Sequence, residues 1–435
     1  MKLHLLLGCC LMVVVVSSAQ SWQPIASGIN GAVYTSYDDS TNHTLVVGGG
    51  FDTINGQPCS RIAEWNGSSW SALGAGLRNG YVRAVMRFQN QLYAGGSFTH
   101  SGLKERRYLA RWTGASWDSI PFTTGNCNVQ AMIVFQGKLI VAGGFETAGG
   151  LQVNNIAAYN GTQWNALQQG TNGIVYAMAV YQNELYIGGS FDTVSGVAAA
   201  HVAKWDGQNW TAVGVGMNQA VYTLLNYQGK LFAGGAFTLA DGMLANRIAY
   251  WQGNGWMSIG NGFNSTVYTL AANDQLYAGG WFTQADSIAT HYIARWGGNS
   301  WSAIDSGMNS GVETINFYQQ QLIAGGSFTQ AGGKSISYLA RFYDPLSVKT
   351  ISSKMYELKM IPNPFSSSTT ILFPKQVYEG DLYVFDALGK LVKTITAIRG
   401  DSYFFSTANL VQGNYFFVLK TLDGLSFQGK CMIEP

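Results

Sequence analysis

Seven short apolar runs in this 435-residue chain end in a pair of glycines with a phenylalanine close behind, at Phe51, Phe98, Phe145, Phe191, Phe237, Phe282 and Phe328. Successive gaps of 47, 47, 46, 46, 45 and 46 residues make the period nearly constant. A period of this size signals an array of equivalent supersecondary units, each too small to bury its own apolar face. The unit therefore dictates the fold.

The fourth unit is the clearest. Apolar strands over 175–181, 184–191, 201–205 and 208–213 are separated by turns at Gln182-Asn183 and Asp206-Gly207 and by a longer loop through Ala200. The turn between the third and fourth strands recurs as Asn66-Gly67, Thr113-Gly114, Asn160-Gly161, Gln252-Gly253 and Gly297-Gly298. Asn-Gly and Asp-Gly there predict a two-residue hairpin with positive φ at both central positions. Glycine weakens a strand interior, so the recurring pair implies a bulge or a close backbone approach, with aromatic rings of the next unit as the expected occupants. Rings are plentiful. Trp65, Trp112, Tyr159, Trp205, Trp251, Trp296 and Phe342 end the third strands, and Trp70, Trp117, Trp164, Trp210, Trp256 and Trp301 open the fourth. Each buried tryptophan is worth roughly 3–5 kcal/mol gross, which makes these rings the expected cement between units.

The last unit lacks a fourth strand. The missing piece stands at the other end of the chain, where 21–28 (SWQPIASG) matches 300–307 (SWSAIDSG). The N-terminal strand is thus expected to complete the final unit and close a ring of seven four-stranded blades, removing open sheet edges. The predicted fold class is all-β: a seven-bladed propeller over 20–344, a linker over 345–354 and a small immunoglobulin-like β-sandwich over 355–435.

Composition agrees with two packed units. Hydrophobic residues make up 47% and charged residues 11%, with a formal net charge of +2, so no global field draws the chain to nucleic acid or acidic membranes. Residues 1–19 read as a secretory signal peptide, with Lys2 in the basic region, an apolar core over 5–16 and Ser17-Ser18-Ala19 before the cleavage point. Cys9 after Leu7-Gly8 is the mark of a rival lipoprotein reading, against which stands the short apolar stretch before it. That core is too short to span a bilayer, and no transmembrane span is expected elsewhere. Cleavage leaves Cys59, Cys127 and Cys431, too few and too scattered for a disulfide framework or a metal site.

With a double glycine, a following aromatic and a tryptophan nearby, residues 21–344 resemble kelch-type propellers, and look closer to secreted bacterial propellers of the GGSF type than to the intracellular adaptor proteins. The C-terminal segment carries Pro362-Asn363-Pro364-Phe365, then Asp386 and Gly389, then Gly413 and Tyr415, with strand-like alternation over 381–385 and 414–419. The order and spacing resemble the C-terminal sorting domain of type IX secretion cargo. The resemblance implies a Gram-negative bacterium, passage through the periplasm, handling by outer-membrane type IX machinery, and a secreted or cell-surface destination. An ordinary immunoglobulin-like appendage is the plain alternative.

No chemistry-bearing motif stands out. His43, His100, His201 and His291 form no zinc motif, no nucleophile elbow or phosphate loop is present, and no metal or cofactor is expected. A scaffold needs only what its repeats share, so function is sought where they differ. Just after the valine that opens each inner strand come Tyr34, Arg83, Gln130, Tyr176, Tyr222, Tyr268 and Glu313, a mostly tyrosine set suited to sugars or peptides. The plain alternative is packing between inner strands. Three residues before each valine stand Asn30, Asn79, Asn126, Asn172, Asn218, Asn264 and Asn309, read either as turn caps or as a polar ring at the channel mouth. Blade 2 is rich in basic residues, with Arg78, Arg87, Lys104, Arg106 and Arg107 as a candidate patch for an anionic partner or a solvated loop. The leading expectation is a non-enzymatic propeller that binds glycan or protein. A polysaccharide-acting enzyme using carboxylates such as Glu105, Asp241, Asp286 and Glu313, and a purely structural surface protein, are the alternatives.

Overall fold

The computed structural model describes residues 20–434 except 124, 126, 344–355, 388–390, 408–409 and 422–425. The signal-peptide reading of 1–19, the linker, Asn126 and Gly389 lie outside the described residues. The chain divides into two compact units, Met1–Asp344 and Pro345–Pro435.

The first unit is a seven-bladed propeller of four-stranded antiparallel sheets. Blade 1 runs Val33–Asp39, Thr44–Gly49, Ile62–Trp65 and Trp70–Ala72 from the inside outward. Five blades repeat that order, and the seventh uses Val312–Tyr318, Gln321–Gly326 and Leu339–Tyr343 with Ser21–Pro24 as its outer strand. Ser21 pairs with Tyr343 and Trp22 with Phe342. The ring shuts at the inner strands as well: the Asn316 amide donates to the Ser36 carbonyl at 3.0 Å and the Tyr318 hydroxyl to the His43 carbonyl at 3.0 Å.

The glycine pair has a specific cause. A Cβ on the second glycine would strike the carbonyl oxygen just before its own blade's opening valine: Ala32 for Gly49, Ile174 for Gly189, Gly311 for Gly326. A Cβ on the first would meet the opening valine of the next blade, Val82 for Gly48, Val221 for Gly188 and, across the closure, Val33 for Gly325. The close approach is as expected, but the occupant is a valine and not an aromatic ring. A ring would need more room than these stacked inner strands leave.

The rings do their work further out. Each fourth-strand tryptophan is buried against the third-strand ring of its own blade, with centroids between 4.8 and 5.5 Å apart. The indole N–H reaches back to the preceding blade: Trp70 to the Ile25 carbonyl at 2.9 Å, Trp117 to Leu73 at 2.9 Å, Trp210 to Leu167 at 3.0 Å and Trp256 to Val213 at 3.0 Å. In these four, burying a ring while satisfying its one donor makes an effective clamp, whereas the equally buried Trp301 indole N–H meets no acceptor among the described residues.

The turns depart from expectation. The third-to-fourth connection spans four residues, with Trp65 paired to Trp70 and only Gly67 at positive φ. Asn66 does not need a left-handed backbone because its side-chain oxygen accepts the amides of Ser68 and Ser69, both at 2.9 Å. Two-residue turns with both residues at positive φ occur between the first and second strands, at Gln89-Asn90, Gln136-Gly137 and Gln182-Asn183.

The second unit is a barrel-like β-sandwich. Its long strand Ser368–Asp386 pairs with Leu391–Ser406 along its length, with Lys359–Ile361 over its first part and with Gly413–Thr421 over its last. Register breaks after Leu372 and Val377 bend that strand around a core that includes Ile371, Leu382, Val384, Phe405 and Phe417.

Candidate functional site

Every inner strand slips register by one residue just after its opening valine. Val33 faces Gly49 and Thr35 faces Gly48, leaving Tyr34 as the extra residue of a β-bulge. The same shift falls on Arg83, Gln130, Tyr176, Tyr222, Tyr268 and Glu313. A bulge turns its extra side chain away from the ladder, and seven around a ring aim at the axis. The structure brings all seven together: they line one cavity of about 310 Å³.

The lining has two characters. Tyr176, Tyr222 and Tyr268 follow one another, with centroids 4.9 and 4.8 Å apart and the second pair stacked at 26°. Across from this aromatic arc lie Glu313, Tyr34, Arg83 and Gln130. The Arg83 guanidinium sits 4.5 Å from the Tyr34 ring centroid, and Tyr81 meets Tyr34 edge-on at 5.5 Å. Burial pushes the hydroxyls of Tyr34, Tyr222 and Tyr268 above the usual 10.0, with Arg83 opposing the rise at Tyr34. These groups are neutral donors and acceptors at physiological pH.

Two rim residues escape the sequence reading. Trp281 is 44% exposed, and its indole donates to Glu313 Oε1 at 3.2 Å. Tyr81, beside Tyr34, is 46% exposed. The available signal for Trp281 is its place between the glycine pair and Phe282, where other blades carry small residues such as Ser97, Ser190 and Ala236. Arg61 stitches the rim by donating to the Gly80 and Gly50 carbonyls at 2.9 and 3.0 Å.

The remaining candidates are engaged elsewhere. Asn30, Asn172, Asn218, Asn264 and Asn309 each accept two consecutive loop amides at 2.7–3.1 Å, the contacts of a turn staple. Asn79 contacts His100 Nδ1 at 3.3 Å. The basic residues of blade 2 do not make one surface. Arg87 is bound to the buried carboxylate of Asp39, Arg106 donates to the Trp117 carbonyl at 2.6 Å, and Arg107 pairs with Glu105, leaving Arg78 and Lys104 exposed. Among the carboxylates, Asp241 accepts the amides of Val215 and Trp256, and Asp286 those of Asn261 and Trp301. Glu313 is the one carboxylate lining the cavity.

In the second unit the Pro-Asn-Pro-Phe segment is fastened to the final strand. Asn363 accepts the Met432 amide at 3.0 Å and donates to the Lys430 carbonyl at 3.1 Å, while Phe365 is buried beside Phe405. Tyr415 pairs with Asp386 in the ladder and donates its hydroxyl to the Val411 carbonyl at 2.7 Å. Gly413 starts that strand.

Residues 359–434 match the family described as the secretion system C-terminal sorting domain. That match implies export of the chain with handling by type IX secretion machinery, to a secreted or cell-surface location. No curated protein matches the chain. Similar solved structures include the extracellular domain assigned to a one-component system of B. thetaiotaomicron, at 11% identity and a TM-score of 0.47, covering 96% of this chain and 58% of that one. The extracellular domain assigned to a hybrid two-component system of the same organism gives 12%, 0.43, 93% and 56%. The chain thus spans less than three fifths of the length of either.

Proposed function

We propose that the protein is an exported, non-enzymatic binding module whose propeller takes a glycan at the mouth of its central channel. The observation that carries this reading is the convergence of seven bulge residues, four tyrosines with Arg83, Gln130 and Glu313, on one cavity. Stacked tyrosines offer flat faces to the C–H side of a sugar ring, and Arg83, Gln130 and Glu313 offer hydrogen bonds to its hydroxyl edge. Glycoside hydrolysis ordinarily needs two carboxylates, whereas Glu313 is alone in the lining. Residues 1–19 serve as the signal peptide into the periplasm of a Gram-negative bacterium, and the blades are kelch-like in their Gly-Gly and tryptophan pattern.

A glycan and peptide array probed with the chain from Gln20 onward tests this. Retention on specific glycans, abolished in Tyr222→Ala, is the expected result. Retention on peptides alone, or on nothing, overturns it. Cleavage of a retained glycan that disappears in Glu313→Gln would make the protein an enzyme.

A further inference from the structure

We propose that a groove between blades 5 and 6 is a second saccharide site, separate from the channel mouth. It is a cavity of about 460 Å³ beside the first-hairpin turns of the two blades, at the opposite end of the inner strands from the bulges. Its size falls in the usual range for small-molecule sites.

Two departures from the repeat meet there. Tyr250 stands where the other blades carry Glu64, Arg111, Ala158, Lys204, Arg295 and Arg341, mostly long charged chains. Several of those are paired within their own blades, Lys204 with Glu184 and Arg111 with Asp118. In addition, blade 6 is one residue shorter between its opening valine and the following leucine, 267 to 276 against 221 to 231 in blade 5. That hairpin loses the aromatic that ends other inner strands, Phe88, Phe135, Tyr181 and Tyr318, all buried. Beside the shortened hairpin the corresponding Tyr227 is only half-buried, its hydroxyl donating to the Asp274 carbonyl at 2.9 Å. A scaffold residue has become part of an open wall.

The chemistry of the wall selects the ligand. Tyr227, Tyr250 and Trp296 supply ring faces, and Gln228, Lys230 and Asp274 supply hydrogen-bonding groups of both polarities. The Lys230 ammonium lies 4.4 Å from the Tyr250 ring centroid, which holds it at the edge of the groove as a donor. An anion would meet Asp274, a cation would meet Lys230, and a purely apolar molecule would leave the amide and charged groups without partners. A neutral saccharide, apolar on one face and hydroxylated along its edges, satisfies both kinds of wall.

Calorimetric titration of the chain from Gln20 onward with cellobiose, maltose, lactose and diacetylchitobiose tests the site. At least one disaccharide should bind and should lose at least about tenfold in affinity in Tyr250→Arg, a change to the residue type found in three other blades. Lys230→Ala, at an exposed position, should weaken the same binding and serves if Tyr250→Arg does not fold. Arg83→Ala, in the channel mouth, should leave it unchanged. No binding by any of the four, binding untouched by both groove variants, or binding lost in Arg83→Ala would each overturn the proposal.

Discussion

A methyl group added at Gly189 would collide with the Ile174 carbonyl of its own blade, whereas one at Gly188 would press on the Val221 side chain of the next. Backbone carbonyls locked in a ladder cannot step aside, but a valine can shift slightly. Gly188→Ala should therefore cost about 1–3 kcal/mol, the usual penalty of overpacking, and Gly189→Ala more, measured by chemical denaturation of the chain from Gln20 onward. Blade 3 already carries Ala142 at the first position, while the second stays glycine in all seven blades. The three cysteines among the described residues give a second residue-scale expectation. Burial pushes the thiols of Cys59, Cys127 and Cys431 up to about 12 because it disfavours the charged thiolate. At pH 8 a pKa near 12 leaves about one thiolate in ten thousand, so thiol reagents should label none of the three in the folded protein and all three in denaturant. Rapid native labelling at pH 8 would contradict the buried placement. At this scale the sequence exposes which residues differ between blades, and Tyr34 through Glu313 could be singled out. It does not say what opposes a glycine, since Val221 is more than thirty residues from Gly188, so a valine and an aromatic ring are equally compatible with the glycine pair.

Among the elements, Ser21–Pro24 matters most to the ring. Trp22 is fully buried between blades 6 and 7, its indole reaching the Ile304 carbonyl at 3.4 Å. Trp22→Ala should cost about 3–5 kcal/mol, and removal of residues 20–28 more, because it also strips the outer edge of blade 7. A melting curve unchanged by the deletion would contradict closure by this strand. The split unit was legible because 21–28 and 300–307 share their pattern. The turns were less so: an Asn-Gly pair suits both a two-residue hairpin and a four-residue turn capped by the asparagine side chain, and only the observed register of Trp65 with Trp70 separates them. The sorting unit was readable from its motifs in order, whereas the bend of Ser368–Asp386 was not: Pro374 inside its first register break and Gly380 at the end of the second suit the end of a strand as well as a bend within one.

For the molecule as a whole, the blades are the constant part, and the bulge carries tyrosine in four of them and Arg83, Gln130 or Glu313 in the others. Sequence comparison between blades could find the seven bulge residues because each follows a valine at a fixed place. The same comparison marks Trp281, the large residue where other blades carry glycine, serine or alanine, but gives no such mark to Tyr81, whose position holds residues as different as Ala32, Asn128 and Ile174. Ligand binding at the channel mouth depends on the cavity those seven residues share. The most direct measurement is calorimetric titration of a glycan retained on the array against the wild-type chain and the variants Tyr222→Ala, Tyr268→Ala and Arg83→Ala. A loss of about tenfold or more is expected in each, roughly 1.4 kcal/mol or greater, with the melting temperature preserved. Affinity that stays at the wild-type level in all three would place the ligand elsewhere and rule out the channel mouth as its site.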